Sequence, residues 1–138
     1  MINRQILQKL TSYFLERGEL SAAYLFGSHV KGKNRPHSDL DLAVLFDPKL
    51  DVFQRFDNKL QIANDLEESL NVKIDLVDLE SADLFFIHQI MLDKLLIYEK
   101  DRERRVEFEV KARRDFFDRQ HFYDLYYREA LKRIEGRS

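Results

Sequence analysis

"FGSHVKGKNRPHSDLDLAVLF", Phe26–Phe46, sets a Gly-Ser pair at the end of one apolar run and two aspartates at the head of the next. In an extended strand alternate side chains point the same way, so Asp39 and Asp41 share one face while Leu40, Leu42 and Val44 share the other. Like charges at that spacing repel, and burial raises the cost of each. Packing alone does not account for the pair, whereas a divalent cation does. Hard oxygen ligands suit Mg²⁺, which keeps several waters and shares its shell with substrate phosphates, so a nucleoside triphosphate is the expected partner.

The Gly-Ser pair fits the same chemistry. A glycine at a strand-to-helix turn lets phosphate approach the backbone, the N–H groups that follow point at the anion, and the Ser28 hydroxyl adds a donor. Gly32 supplies a second permissive position, Lys31, Lys33 and Arg35 supply positive charge, and Ser38 a further hydroxyl beside the aspartates. Gly27, Ser28, Lys31, Arg35 and Ser38 are therefore the candidates for holding the triphosphate. Without a ligand, Gly27-Ser28 reads as an ordinary turn and Asp39 as a cap or ion-pair partner. A third carboxylate is expected from a neighbouring strand, and in "VKIDLVDL", Val72 to Leu79, Asp75 interrupts an apolar run with Ile74 and Leu76 on the opposite face. Asp78, of opposite parity, is the fallback. Three carboxylates suffice for phosphoryl transfer with two cations clamping the attacking and leaving oxygens.

Outward from this stretch, the chain alternates helical patterns with short apolar runs in the order α-β-α-β-α-β-α-α. Asn3 is placed to cap a first helix with Ile6, Leu7, Leu10 and Phe14 on one face, and Gly18 to end it in the left-handed conformation. Ala22–Phe26 and about Asp39–Phe46 read as strands. After Asp47-Pro48, Phe53, Phe56, Leu60, Ala63, Leu66 and Leu70 mark the stripe of a long helix that Asn71 closes. Ser81 is placed to cap a helix carrying Leu84, Phe85, His88, Met91 and Leu92, "LLIYE" is a candidate extra strand, and from about Asp101 a long charged helix, broken at most once, runs to Gly136.

A length of 138 residues is one domain with one core. The formal charge of -2 gives no global pull toward nucleic acid or membrane, and zero cysteines exclude disulfides and Cys-based zinc sites. With no signal-peptide pattern and no long apolar run, a cytoplasmic location is expected.

Gly27-Ser28, ten residues, Asp39-Leu40-Asp41 and a later strand aspartate together resemble the DNA polymerase beta nucleotidyltransferase superfamily. The short chain is similar to the minimal nucleotidyltransferases that act as antitoxins beside HEPN ribonuclease toxins. The resemblance is carried by about Ala22 to Leu79. It implies an α/β (α+β) fold, a small mixed sheet flanked by helices with a long C-terminal helical segment. It also implies Mg²⁺ and ATP as cofactors, and transfer of AMP to a hydroxyl, in antitoxin members a tyrosine of the toxin, with release of pyrophosphate. By the resemblance, Gly27 and Ser28 hold the triphosphate, Asp39 and Asp41 the metals, and Asp75 is the third carboxylate. Many relatives carry an arginine where this chain has His29. Residues 1–100 are then the catalytic core and 101–138 a helical extension that packs on the core and on a partner, within one domain.

The extension is rich in aromatics: Phe108, Phe116, Phe117, Phe122, Tyr123, Tyr126 and Tyr127. Phe116, Tyr123, Tyr127 and Ile134 share one face and are expected to pack on the sheet or a neighbouring helix, while Phe117, Phe122 and Tyr126 suggest a second surface, for a partner or a wider core. Arg114 and "HFY" at His121 imitate the Arg-to-His motif of HEPN nucleases, but such a site needs a helical bundle that an α/β chain of this length does not leave room for. The basic run Arg102, Arg104, Arg105, Lys111, Arg113, Arg114 is interleaved with Glu103, Glu107 and Glu109, which reads as a solvated helix face rather than a nucleic-acid contact. His88 and His121 lack metal-ligand spacing. Two other functions use the same residues: a small-molecule nucleotidyltransferase of the antibiotic-modifying kind, and an antitoxin that neutralises by binding alone.

Overall fold

The computed structural model describes residues 4–31 and 39–136. Asn3, Gly32, Lys33, Arg35 and Ser38 lie outside the described residues, as do the side chains of His29 and Lys31. The elements are α1 (Arg4–Leu15), β1 (Leu20–Phe26), α2 (Ser28–Lys31), β2 (Leu40–Phe46), α3 (Val52–Leu70), β3 (Ile74–Asp78), a 3₁₀ turn (Leu79–Ser81), α4 (Leu84–Asp93), β4 (Leu95–Glu99) and α5 (Arg102–Glu135). The strands form one mixed sheet in the order β3-β2-β1-β4. β1 runs antiparallel to β2 and β4, and β2, crossing over through α3, runs parallel to β3. "LLIYE" is therefore an edge strand.

The sheet is covered on both faces, which is why its central strands read as nearly unbroken apolar runs. On one face Leu40, Leu42, Val44 and Phe46 of β2, with Ala23, Leu25, Ile74 and Leu76, bury against Leu10 and Phe14 of α1 and Ile62 and Leu66 of α3. On the other, Ala22, Tyr24, Ala43 and Leu45 meet Ile87 and Ile90 of α4, with Phe108 and Ala112 of α5 at the margin. The Tyr24 hydroxyl donates to Glu109 at 2.7 Å and ties α5 to the central sheet.

Several local expectations hold. Asn71 is left-handed at φ 53° and closes α3 with its N–H on the Glu67 carbonyl, and α5 is unbroken over 34 residues. Others are corrected. Gly18 is not left-handed: Gly27 and Asn71 are the positive-φ positions among the described residues. α1 instead ends in a tight turn in which Glu16 and Arg17 N–H groups bond the Tyr13 and Phe14 carbonyls. α4 is capped by Asp83, whose carboxylate accepts from the Phe85 N–H, and Ser81 belongs to the 3₁₀ turn before it.

Two amphipathic stripes are only partly used. On α3 the inward face runs Arg55, Asn58, Ile62, Leu66: Ile62 and Leu66 are buried in the core and Arg55 donates to Asp78 at 2.8 Å; Phe53, at 82% exposure, Phe56 and Leu60 face solvent. On α5, Phe116 is seated, stacked on His88 with ring centroids 3.7 Å apart, and Tyr123 reaches Phe85 at 6.3 Å. Tyr127 and Ile134 are exposed. At 1.5 Å per residue a helix of this length spans roughly 50 Å, more than twice the length of the strands, so it outruns what it packs on. Among the described residues no helix is long and apolar enough to cross a membrane.

Candidate active site

Strand register builds the site. Asp41 is the second residue of β2 and Asp75 the second of β3, and the two are paired partners across the parallel ladder; Phe26, the last residue of β1, is the partner of Asp41 on the other side. Register partners point to the same face, so a row Phe26, Asp41, Asp75 crosses three strands at one end of the sheet, one pair beyond Ala43 and Val77. This is the face that α4 and α5 cover. Asp41 is half-buried and Asp75 exposed on the outer strand, while Asp39, exposed, stands just before β2 with the parity of Asp41.

Gly27 closes the row. Its φ is +80°, and a Cβ built on it would stand 2.3 Å from Asp41 Oδ2 and 3.1 Å from Cγ. Glycine is thus required twice: by the left-handed turn that leads from β1 into α2 at Ser28, and by the carboxylate lying against its α-carbon. Local sequence marks Gly27 as a strand-to-helix turn where phosphate can approach; its contact with Asp41 depends on the antiparallel pairing of β1 with β2.

Asp78 is removed from the candidate set. It is buried, accepts from Arg55 Nε at 2.8 Å, Ser81 Oγ at 3.1 Å and the Glu80 N–H at 3.1 Å, and so joins β3 to α3 and caps the 3₁₀ turn. The hydrogen bond to Asp78 leads the effects that raise the pKa of Arg55. His88 is taken up in its stack with Phe116. Arg114 and His121 are both exposed along α5. Of the basic run, Arg104 and Arg105 are not solvated as expected: Arg104 pairs with Glu80 and bonds the Phe46 carbonyl, and Arg105 pairs with Glu99 and Glu109, fastening α5 to the sheet.

Among the described residues no three carboxylates or imidazoles are gathered into a metal cage. The donors are instead two aspartates side by side with a third at the strand mouth. That suits Mg²⁺, which takes one or two carboxylates and completes its shell with water and substrate phosphate, better than a metal needing an all-protein cage. Asp39, Asp41 and Asp75 are the residues that could hold it.

No curated protein matches the chain. A chain of a toxin-antitoxin complex crystallised with AMP-PNP is 25% identical with a TM-score of 0.69, over 94% of this chain and 99% of that one. A variant of the toxin-antitoxin MntA-HpeT is 26% identical with a TM-score of 0.68, over 95% and 99% of the two chains. A chain of the complex between a tri-AMPylated Shewanella oneidensis HEPN toxin and an MNT antitoxin shares the fold, at 22% identity and a TM-score of 0.63 over 91% and 98%. The family model described as "Polymerase beta, Nucleotidyltransferase" matches residues 8–103, most of the chain and every described residue of the row, and the protein belongs to that family.

Proposed function

We propose that the protein is an antitoxin that transfers AMP from ATP to a hydroxyl, that of a tyrosine, on a HEPN-type ribonuclease toxin, and silences it in the cytoplasm. The observation that carries this reading is the register-paired Asp41 and Asp75 with Gly27 packed on Asp41, in a chain of this family that is similar over nearly its whole length to part of a toxin-antitoxin complex binding AMP-PNP.

Gly27 leaves the backbone open to the triphosphate, and the Ser28 hydroxyl donates to a phosphate oxygen. Lys31, Arg35 and Ser38 are assigned to the remaining phosphate charge. Asp39 and Asp41 hold the cations, with Asp75 as the third ligand. Mg²⁺ bound there, two ions in the full mechanism, supplies stabilisation of the negative charge that develops on the transferring phosphoryl group. Asp75, exposed on the outer strand, takes the acceptor's proton or binds the cation that activates it. The acceptor oxygen bonds to the α-phosphorus, the α–β phosphoanhydride bond breaks, and pyrophosphate leaves toward Gly27-Ser28. Residues 1–100 have no substrate domain of their own, so the partner must deliver its nucleophile in position. The exposed outer half of α5, within residues 101–138, with Phe122 and Tyr126 prominent, is the surface assigned to that partner.

Intact mass spectrometry of the toxin after incubation with the protein and Mg-ATP tests the proposal. Whole AMP increments are expected, and their disappearance with the Asp39→Ala, Asp41→Ala variant. An unmodified toxin that both versions still silence would make the protein a binding antitoxin only; one that neither modifies nor silences would return it to small-molecule transfer.

A further inference from the structure

We propose that Phe86, held against Phe26, is the platform on which the nucleobase of the donor nucleotide stacks. This rests on the reading of the site just given. Phe26 precedes Gly27, is the register partner of Asp41 and lies on the same face as both aspartates. From α4 above that face, Phe86 meets it edge to face, with centroids 6.0 Å apart and planes at 87°. The two flanking positions show that this is a choice of direction. Ile87 is buried in the core, and Phe85 turns to α5, where it meets Phe116 at 5.5 Å. Phe86 joins neither group: it is 43% exposed, anchored to the aromatic next to the site.

The in-line geometry of the reaction says what should lie there. With the acceptor beside Asp75 on β3 and pyrophosphate leaving toward Gly27 after β1, the axis of displacement runs across the strands. The nucleoside must leave the α-phosphorus to the side of that axis. Two directions are open: off the end of the sheet into solvent, or back along the face toward α4. The second brings the base to Phe86. An aromatic ring stacks on any base, since every base has a π-face, and Phe86 therefore contributes affinity for the nucleoside rather than strict choice among bases.

The chain contains no tryptophan, so Phe86→Trp introduces a single indole reporter. With Mg²⁺ present, AMP-PNP should quench its emission and inorganic triphosphate should not. Phe86→Ala should weaken AMP-PNP binding by roughly 10- to 100-fold in calorimetry, leave inorganic triphosphate binding unchanged, and raise KM for ATP with little change in kcat. Phe86→Tyr should restore affinity. The inference is overturned if AMP-PNP affinity is indifferent to Phe86→Ala, if triphosphate binding falls equally, or if the KM for the toxin moves in place of that for ATP, which would give the ring to the acceptor. AMP transfer with no dependence of nucleotide binding on Phe86 would sink this inference alone. Phe86-dependent binding without AMP transfer to the toxin would sink the proposed activity and leave the platform standing.

Discussion

Gly27→Ala tests the contact on which the site depends. The added methyl meets two obstacles. At φ +80° an L-residue is strained by about 1–2 kcal/mol. The methyl would also stand 2.3 Å from Asp41 Oδ2, 3.1 Å from its Cγ and 3.3 Å from its Cβ. The backbone of Asp41 is held by pairing to Phe26 on one side and Asp75 on the other, so its side chain has to turn off its rotamer, at about 0.5–1.5 kcal/mol. The total, about 2–3 kcal/mol, lowers Tm by roughly 6–12 °C for a domain of this size. AMP transfer falls on the order of 100-fold, as expected when a positioned group moves by about an ångström. A double-mutant cycle separates the two terms. In an Asp41→Ala background the two shortest contacts are gone and only the Cβ at 3.3 Å remains, so Gly27→Ala should cost little beyond the φ strain, and the cycle should show a coupling of about 1 kcal/mol by urea denaturation. Equal costs in both backgrounds would refute the close approach of Gly27 to Asp41, and no cost in either would refute the left-handed turn as well.

The two β3 aspartates should separate stability from activity. Asp75→Ala, at an exposed position, should change stability by less than about 0.5 kcal/mol while abolishing AMP transfer. Asp78→Ala, which strips Arg55 and Ser81 of a buried partner, should cost about 3 kcal/mol in urea denaturation and leave the transfer rate of the folded protein intact. The reverse pattern would exchange their roles. Alkaline pH should destabilise the fold: burial, the largest cause in both, pushes the Tyr13 and Tyr24 hydroxyls up from 10.0 to about 12. The unfolded chain then loses these protons first, so stability is whole below about pH 10 and declines between about pH 10 and 12; Tyr24→Phe should flatten that decline in urea midpoints across this range. Removing residues 125–138 should leave Tm within about 3 °C, because this end of α5 buries little, yet weaken toxin binding in sedimentation experiments. Undiminished binding would place the partner elsewhere.

The order of strands and helices was legible from local chemistry, and so was the choice of three aspartates as candidates. Period-2 alternation alone placed Asp39 and Asp41 on one face, and parity favoured Asp75 over Asp78. Local sequence reaches no further than one element at a time. That Asp41 stands beside Asp75, and that its carboxylate lies against Gly27, depends on the register of three strands, which burial on both faces of the sheet selects. The apolar stripes mark this boundary from the other side. Phe53, Phe56 and Leu60 form a stripe as regular as any buried one, as do Tyr123, Tyr127 and Ile134, but a stripe shows only which residues can be buried together. Whether they are buried is decided by what neighbouring elements offer: α3 turns Ile62 and Leu66 to the core and Arg55 to Asp78, and α5 continues past the sheet that its first half covers. Periodicity and residue chemistry therefore determined the elements and the candidate groups, while long-range packing decided which groups meet, because pairing energy lies between segments distant in the chain.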